Sequence, residues 1–386
     1  MNDGMSVRTE TFAFRRIRNF FEERMYALID FRLSFEAPIG PSGFPKFEQL
    51  QNVVARLDPA NCILFRLFRL GQPVDPGDAK RAIPNDVLDA LHEIGLLSRA
   101  ADGQWRSPDL LLVPIEGLLI FVSTPPAYPT ASRPADVWFD LSSYVVAKAL
   151  WGTCTGSRVL DLCSGSGVQT ILCASRGAAL SLGLDVNARA IEVARMNAML
   201  NGVNERTAFR RSDCLAALAP NEKFDLVVCN TPYAPVVGDS AGPLAPADIG
   251  NAVLFAMIDD IPRCLTESGR GLLAAWRSVG HGGGTYQRDR LAARLGAAGL
   301  SVAAFVSRAP DTVEGVLQIL KADVEQRYDA ARAASLVAEA AALLKSGGSS
   351  LDGFYNQLVS FQKGPASDPS ANLFGLDLVP AKERSP

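Results

Sequence analysis

Two stretches limit what this chain folds into. Val159-Leu160-Asp161-Leu162-Cys163 is an apolar run of strand length that ends in Ser164-Gly165-Ser166-Gly167. Phe224-Asp225-Leu226-Val227-Val228-Cys229 is another, and it ends in Asn230-Thr231-Pro232-Tyr233. Short apolar runs bounded by turn residues read as strands buried on both faces. Helical patterns fall between them. Strands are predicted at Val159–Cys163, Leu180–Asp185, Thr207–Arg211, Phe224–Cys229 and Gly271–Ala275, with helices over 168–175, 188–200, 247–265 and 288–298. Such alternation builds an α/β fold, a mostly parallel sheet with helices on both faces. Ser301–Ser307 and Val316–Leu320 are predicted to close it as an antiparallel pair.

At 386 residues the chain suits more than one domain. Residues 1–45 hold an aromatic helix over 10–35, with Phe12, Phe14, Phe20, Phe21 and Tyr26, expected to act as a lid. Residues 46–135 read as a helical module ending in strands, resembling a winged helix. Residues 136–321 carry the sheet, and 322–386 a C-terminal helix and tail. The last helix of the module is acidic at Asp86, Asp89 and Glu93, and the net charge is only -3. A basic nucleic-acid footprint is absent, so no nucleic-acid partner is expected.

Seven cysteines show no metal-type spacing and there are two histidines, His92 and His281. Reduced core thiols and no metal site are expected, with Cys163 and Cys229 inside buried strands. The longest apolar run, Leu110 to Val122, is broken by Pro114 and Glu116, so no membrane partner is expected either. The location expected is cytoplasmic.

In open parallel sheets, ligands bind beyond the carboxyl ends of the strands, at the switch point. The turn Asp161 to Gly167 falls there. Gly165 and Gly167 let the backbone pass close to a ligand, and the following helix offers free N–H groups. Asp185 ends the next strand, where a carboxylate can accept both hydroxyls of a ribose. Asp213 ends the third, where it can meet an exocyclic amine. Asn230 and the carbonyl that follows can accept N–H hydrogens from an incoming nitrogen, with Pro232 setting the turn and Tyr233 covering the reacting atom.

Residues 157–320 resemble the class I S-adenosylmethionine (SAM) methyltransferases, and within them the Asn-Pro-Pro-Tyr group. The resemblance implies a Rossmann-like, seven-stranded sheet and SAM as co-substrate. It implies Asp161, Ser164, Gly165, Gly167, Asp185, Asp213 and Asn230 as cofactor-binding residues. Asn230, Tyr233 and Tyr144 are then the expected catalytic residues. Thr231 departs from the group's proline. The expected activity is methyl transfer to a nitrogen or oxygen, on a small molecule in preference to a protein side chain. A second resemblance is to azetidine-2-carboxylate synthases, which cyclise SAM and release methylthioadenosine. That alternative calls for a closed aromatic pocket, which the N-terminal helix and Trp138-Phe139…Tyr144 are expected to supply. A third reading is a nucleic-acid-binding protein with a vestigial methyltransferase fold. The intact Asp161, Asp185 and Asn230 argue against it.

Overall fold

The aromatic N-terminal segment folds as two helices. α1 (Asp3–Glu23) stops before Met25, whose φ of 53° is left-handed, and α2 (Tyr26–Leu33) starts beyond it. The computed structural model describes residues 3–40, 43–133, 135–150, 154–231, 252–280, 288–306, 314, 317–318, 321, 324–325, 328–346 and 351–364. The chain divides into two compact units.

The first unit comprises Met1–Tyr144, Gly165–Leu172 and Arg189–Glu205. Its helices continue with α3 (Phe47–Val54), α4 (Pro59–Phe68), α5 (Pro76–Ala82) and α6 (Asn85–Glu93). α4 and α5 begin alike. Asp58 and Asp75 accept a backbone N–H of the first turn, from Asn61 and Gly77, and a proline fills the first helical position. Phe14, Ile17, Phe20, Phe21 and Tyr26 are all buried. The Phe21 ring meets Phe68 edge-on at 5.0 Å, and Tyr26 stacks on Phe65 at 4.5 Å. Phe12, by contrast, is 64% exposed, so four of the segment's five aromatic rings pack within the unit. Arg69, 1% exposed, anchors the same region through a 2.6 Å ion pair with Asp30. Two hairpins follow: β1 (Ser98–Arg99) with β2 (Trp105–Arg106), and β3 (Leu110–Ile115) with β4 (Leu118–Ser123).

The second unit comprises Val145–Ser164, Cys173–Ala188 and Arg206–Pro386, and it holds the sheet. The element α7 (Leu141–Ala149) leads in. Next along the chain come β5 (Arg158–Leu162), α8 (Val168–Ser175), β6 (Leu180–Asp185), α9 (Ala188–Leu200), β7 (Thr207–Arg211) and β8 (Phe224–Asn230), with α8 up to Leu172 and α9 from Arg189 belonging to the first unit. After them lie α10 (Ala252–Ile258), α11 (Ile261–Cys264), β9 (Leu265–Gly280), α12 (Arg288–Ala297), β10 (Leu300–Val306), a helix over Ala330–Ser346 and β11 (Leu351–Lys363). The strand order is β10-β11-β9-β8-β5-β6-β7, with β11 antiparallel to both neighbours. The other pairings, β9-β8-β5-β6-β7, are parallel.

Alternate residues of these strands feed two cores. Leu160, Leu162, Val227 and Cys229 bury in one, and Val159, Leu226 and Val228 in the other. This two-sided burial is why the strands read as continuous apolar runs.

Two predictions change. The closing strand is not Val316–Leu320, because Leu317 and Gln318 are helical. It is β11, drawn from the segment read as tail. Its directly paired partners on β9 include Gly271, whose missing side chain admits the Phe361 ring. Cys163 also leaves its strand, with a left-handed φ of 58° and partial exposure.

Candidate cofactor and substrate site

Four polar side chains end four adjacent parallel strands. Asn230 ends β8, Asp161 lies near the end of β5, Asp185 ends β6 and Asp213 follows β7. β5 is the switch point. The chain leaves it toward β6 and β7, then returns to pair β8 on its other side. Strand spacing of about 4.8 Å spreads the four ends over roughly 14 Å, a trough across the sheet's edge.

The loop after β5 is shaped by three left-handed residues, Cys163 (58°), Gly165 (50°) and Gly167 (78°). The Ser164 N–H donates to the Leu184 carbonyl at 2.9 Å, tying the turn to β6. Within the first unit, the backbone at Gly165 lies against Trp138. A Cβ there would sit 3.4 Å from the Trp138 carbonyl oxygen, an ordinary contact, so glycine is favoured here for its left-handed φ. The Gly167 carbonyl accepts the Ile171 N–H at 2.8 Å and opens α8.

Asp161 is 1% exposed. Asp185 is half-buried, and one carboxylate oxygen accepts the Asn187 N–H at 2.9 Å. Its carbonyl accepts the Ser212 N–H at 2.8 Å, which carries β7 into the turn that exposes Asp213. Thr231 is buried, and its hydroxyl donates to the Ala274 carbonyl on β9 at 3.3 Å. The departure from proline thus has a local cause: a side chain that ties the loop to the neighbouring strand. Pro232 and Tyr233 lie outside the described residues. Tyr144 belongs to the first unit, its ring edge-on to Phe139 at 5.0 Å, and burial pushes its phenol well above the usual range.

Ser164 was expected in the cofactor shell, whereas Ser166 and Gln169 carried no sequence signal. Ser164 Oγ, Ser166 Oγ and Gln169 Nε2 are buried with no hydrogen-bond partner. Donors left open beside a glycine loop fit a ligand with carboxylate or hydroxyl oxygens, as SAM has. Cys214 adopts a left-handed φ of 48°, and burial, with Asp213 beside it, pushes its thiol up to about 11. Among the described residues no group of three or more His, Cys, Asp or Glu is arranged to hold a metal ion. No described helix is long and apolar enough to cross a membrane.

Residues 135–279 match the family model of the methyltransferase small domain. The segment is a methyltransferase-type domain. The strand order, with its single antiparallel strand β11 inserted next to the edge, is that of the class I methyltransferase fold. A ribosomal protein uL3 glutamine methyltransferase of Bradyrhizobium diazoefficiens is 39% identical over 87 residues, 22% of this chain and 27% of the relative. A release factor glutamine methyltransferase of Rhodospirillum rubrum is 43% identical over 81 residues, 21% of this chain and 24% of the relative. A ribosomal protein L11 methyltransferase of Heliobacterium modesticaldum is 31% identical over 161 residues, 40% of this chain and 48% of the relative. The chain spans less than half the length of each of these curated relatives.

Proposed function

We propose that this protein is a SAM-dependent methyltransferase whose acceptor is a nitrogen, specifically the side-chain amide of a glutamine in a protein. The observation that carries the reading is Asn230 at the end of β8, next to the glycine loop of β5. Bound SAM supplies a methyl group on a positively charged sulfur. Asp185 accepts the ribose hydroxyls and Asp213 the exocyclic amine of the adenine. The loop from Asp161 to Gly167 lets the methionine arm pass, with Ser164, Ser166 and Gln169 as open donors and Asp161 as an acceptor. Asn230 Oδ1 accepts an N–H of the acceptor amide, which aims the nitrogen lone pair. Methyl transfer is an in-line displacement, so this alignment supplies much of the rate.

The names of two of these relatives specify glutamine, and those of all three a protein or release factor. They favour a protein acceptor over the small molecule expected from the sequence. The cyclase alternative called for an aromatic N-terminal lid, and four of its five rings, Phe14, Phe20, Phe21 and Tyr26, are buried in the first unit.

The test is incubation with SAM, with and without glutamine-containing protein acceptors, followed by chromatography and mass spectrometry of the acceptor. The expected products are S-adenosylhomocysteine and an acceptor gaining one methyl group on a glutamine, only when both substrates are present. Methylthioadenosine formed without an acceptor, or methyl transfer to RNA alone, would overturn this reading.

A further inference from the structure

Two asparagines one helical turn apart, Asn197 on α9 and Asn201 directly after it, complete the outer edge of β4. Asn197 Oδ1 accepts the Phe121 N–H at 2.8 Å, and its Nδ2 donates to the Phe121 carbonyl at 2.9 Å. Asn201 repeats the pattern at Leu119, accepting its N–H at 3.0 Å and donating to its carbonyl at 2.8 Å. Antiparallel pairing with β3 leaves alternate residues of β4 facing outward, so Leu119 and Phe121 share that edge. The spacings match. Four residues of helix rise about 6 Å, and two residues of strand span about 6.8 Å. The side-chain amides therefore stand in for a neighbouring strand and satisfy an edge that is otherwise buried unpaired.

Asn197 does one thing that Asn201 does not. The same Nδ2 also donates to the carbonyl of Ser166 at 2.9 Å, in the middle of the glycine loop. Asn197 is fully buried, with both side-chain atoms engaged. Gly165 to Gly167 of the loop, Arg189 to Leu200 of the helix and the hairpin all lie in the first unit, together with the Gly165–Trp138 approach. Arg18 of α1 extends the chain of contacts, donating to Asn201 Oδ1 and, at 3.2 Å, to the Gly117 carbonyl at the hairpin turn.

We propose that Asn197 is a positioning residue: it sets the Ser166 peptide from the edge of β4, so that the N-terminal hairpin governs how tightly the glycine loop binds SAM. The inference rests on the proposed SAM-dependent function. Loop geometry matters here because the turn is held in three left-handed steps, a conformation that needs support from its surroundings. Losing the Ser166 bond frees the loop to relax away from its binding shape, and ligand binding must then restore it. Conversely, a ligand that fixes Ser166 tightens the amide pairing at Phe121, because one nitrogen serves both carbonyls.

The experiment uses the full chain and S-adenosylhomocysteine as the probe, with calorimetry, thermal unfolding and hydrogen exchange. In the wild type, the probe is expected to slow exchange at the Phe121 amide. Asn197→Ser is expected to raise the probe's Kd about tenfold, the worth of one buried hydrogen bond, and to abolish the slowing. Asn201→Ser is expected to lower Tm as well, yet to leave Kd within about twofold, since it never touches Ser166. Equal weakening by both variants would reduce Asn197 to a fold-stabilising residue and overturn the proposal. So would an unchanged Kd in Asn197→Ser. If that variant fails to fold, exchange at Phe121 in the wild type still decides, and no slowing there overturns the proposal. A wild type that does not bind the probe at all would instead defeat the SAM-dependent function, and this inference with it.

Discussion

The Thr231 hydroxyl reaches across to the Ala274 carbonyl, 3.3 Å away on the neighbouring strand. The contact pins the peptide directly after Asn230, at the point where β8 ends. A proline in that position fixes the turn through its ring. Threonine ties it to the sheet through a hydrogen bond, a noncovalent restraint in place of a ring.

Asn230→Ala is therefore expected to lower kcat by two or more orders of magnitude, roughly 3 kcal/mol of transition-state alignment, with little change in SAM affinity. Thr231→Val is expected to act in the same direction but more weakly, with about 1 kcal/mol for the lost hydrogen bond to the Ala274 carbonyl. Steady-state kinetics paired with calorimetric Kd values check both. An equal fall in kcat and SAM affinity for Asn230→Ala would place that residue against the cofactor alone.

Asp185→Ala is expected to weaken SAM binding by about 1.5–3 kcal/mol, the cost of leaving paired hydroxyls without a charged acceptor. It also removes the bond from the Asn187 N–H, so Asp185→Asn is the cleaner comparison. Calorimetry showing full affinity in a folded Asp185→Asn variant would remove the ribose assignment.

Gly271→Ala is expected to destabilise the sheet by about 1–3 kcal/mol or more through overpacking. A Cβ at Gly271 would run into the Phe361 ring, which is fully buried. The double variant Gly271→Ala with Phe361→Leu should recover part of the loss. Urea unfolding of the two singles and the double measures the coupling.

Asp58 caps α4, and its carboxyl is held below the usual carboxylate range, chiefly by the backbone N–H of Asn61 and then by that residue's side chain. A depressed value stabilises the fold above the unfolded carboxyl's pKa of about 4, and the contribution is lost as pH falls through the lower, folded value. Asp58→Ala should cost about 0.5–1 kcal/mol at neutral pH, the low range because the site is solvent-exposed. The Tm difference between wild type and variant should be flat above about pH 5 and shrink below about pH 4. A gap that widens in acid would refute the cap.

Sequence alone determined the central strands β5, β6 and β8 and the polar residues that end them. The reason is local. A strand buried on both faces must be a continuous apolar run, and a chain leaving such a run toward a ligand needs glycine or a short polar side chain at once. Asp161, Asp185 and Asn230 were legible because each stands at that boundary. Tertiary structure decided the rest. β11 lies far along the chain from the strands it joins, and its fit depends on Phe361 filling the space over Gly271, a match no local pattern carries. The fate of the N-terminal aromatics turned on Phe65 and Phe68, which take up the very face that spacing alone left open. Asn197 reads as one more polar residue on a helix until Phe121 and Ser166, distant in sequence, arrive on either side of its amide. Side-chain hydrogen bonds of this kind have no period, because their partners are set by packing and not by the helix that bears them.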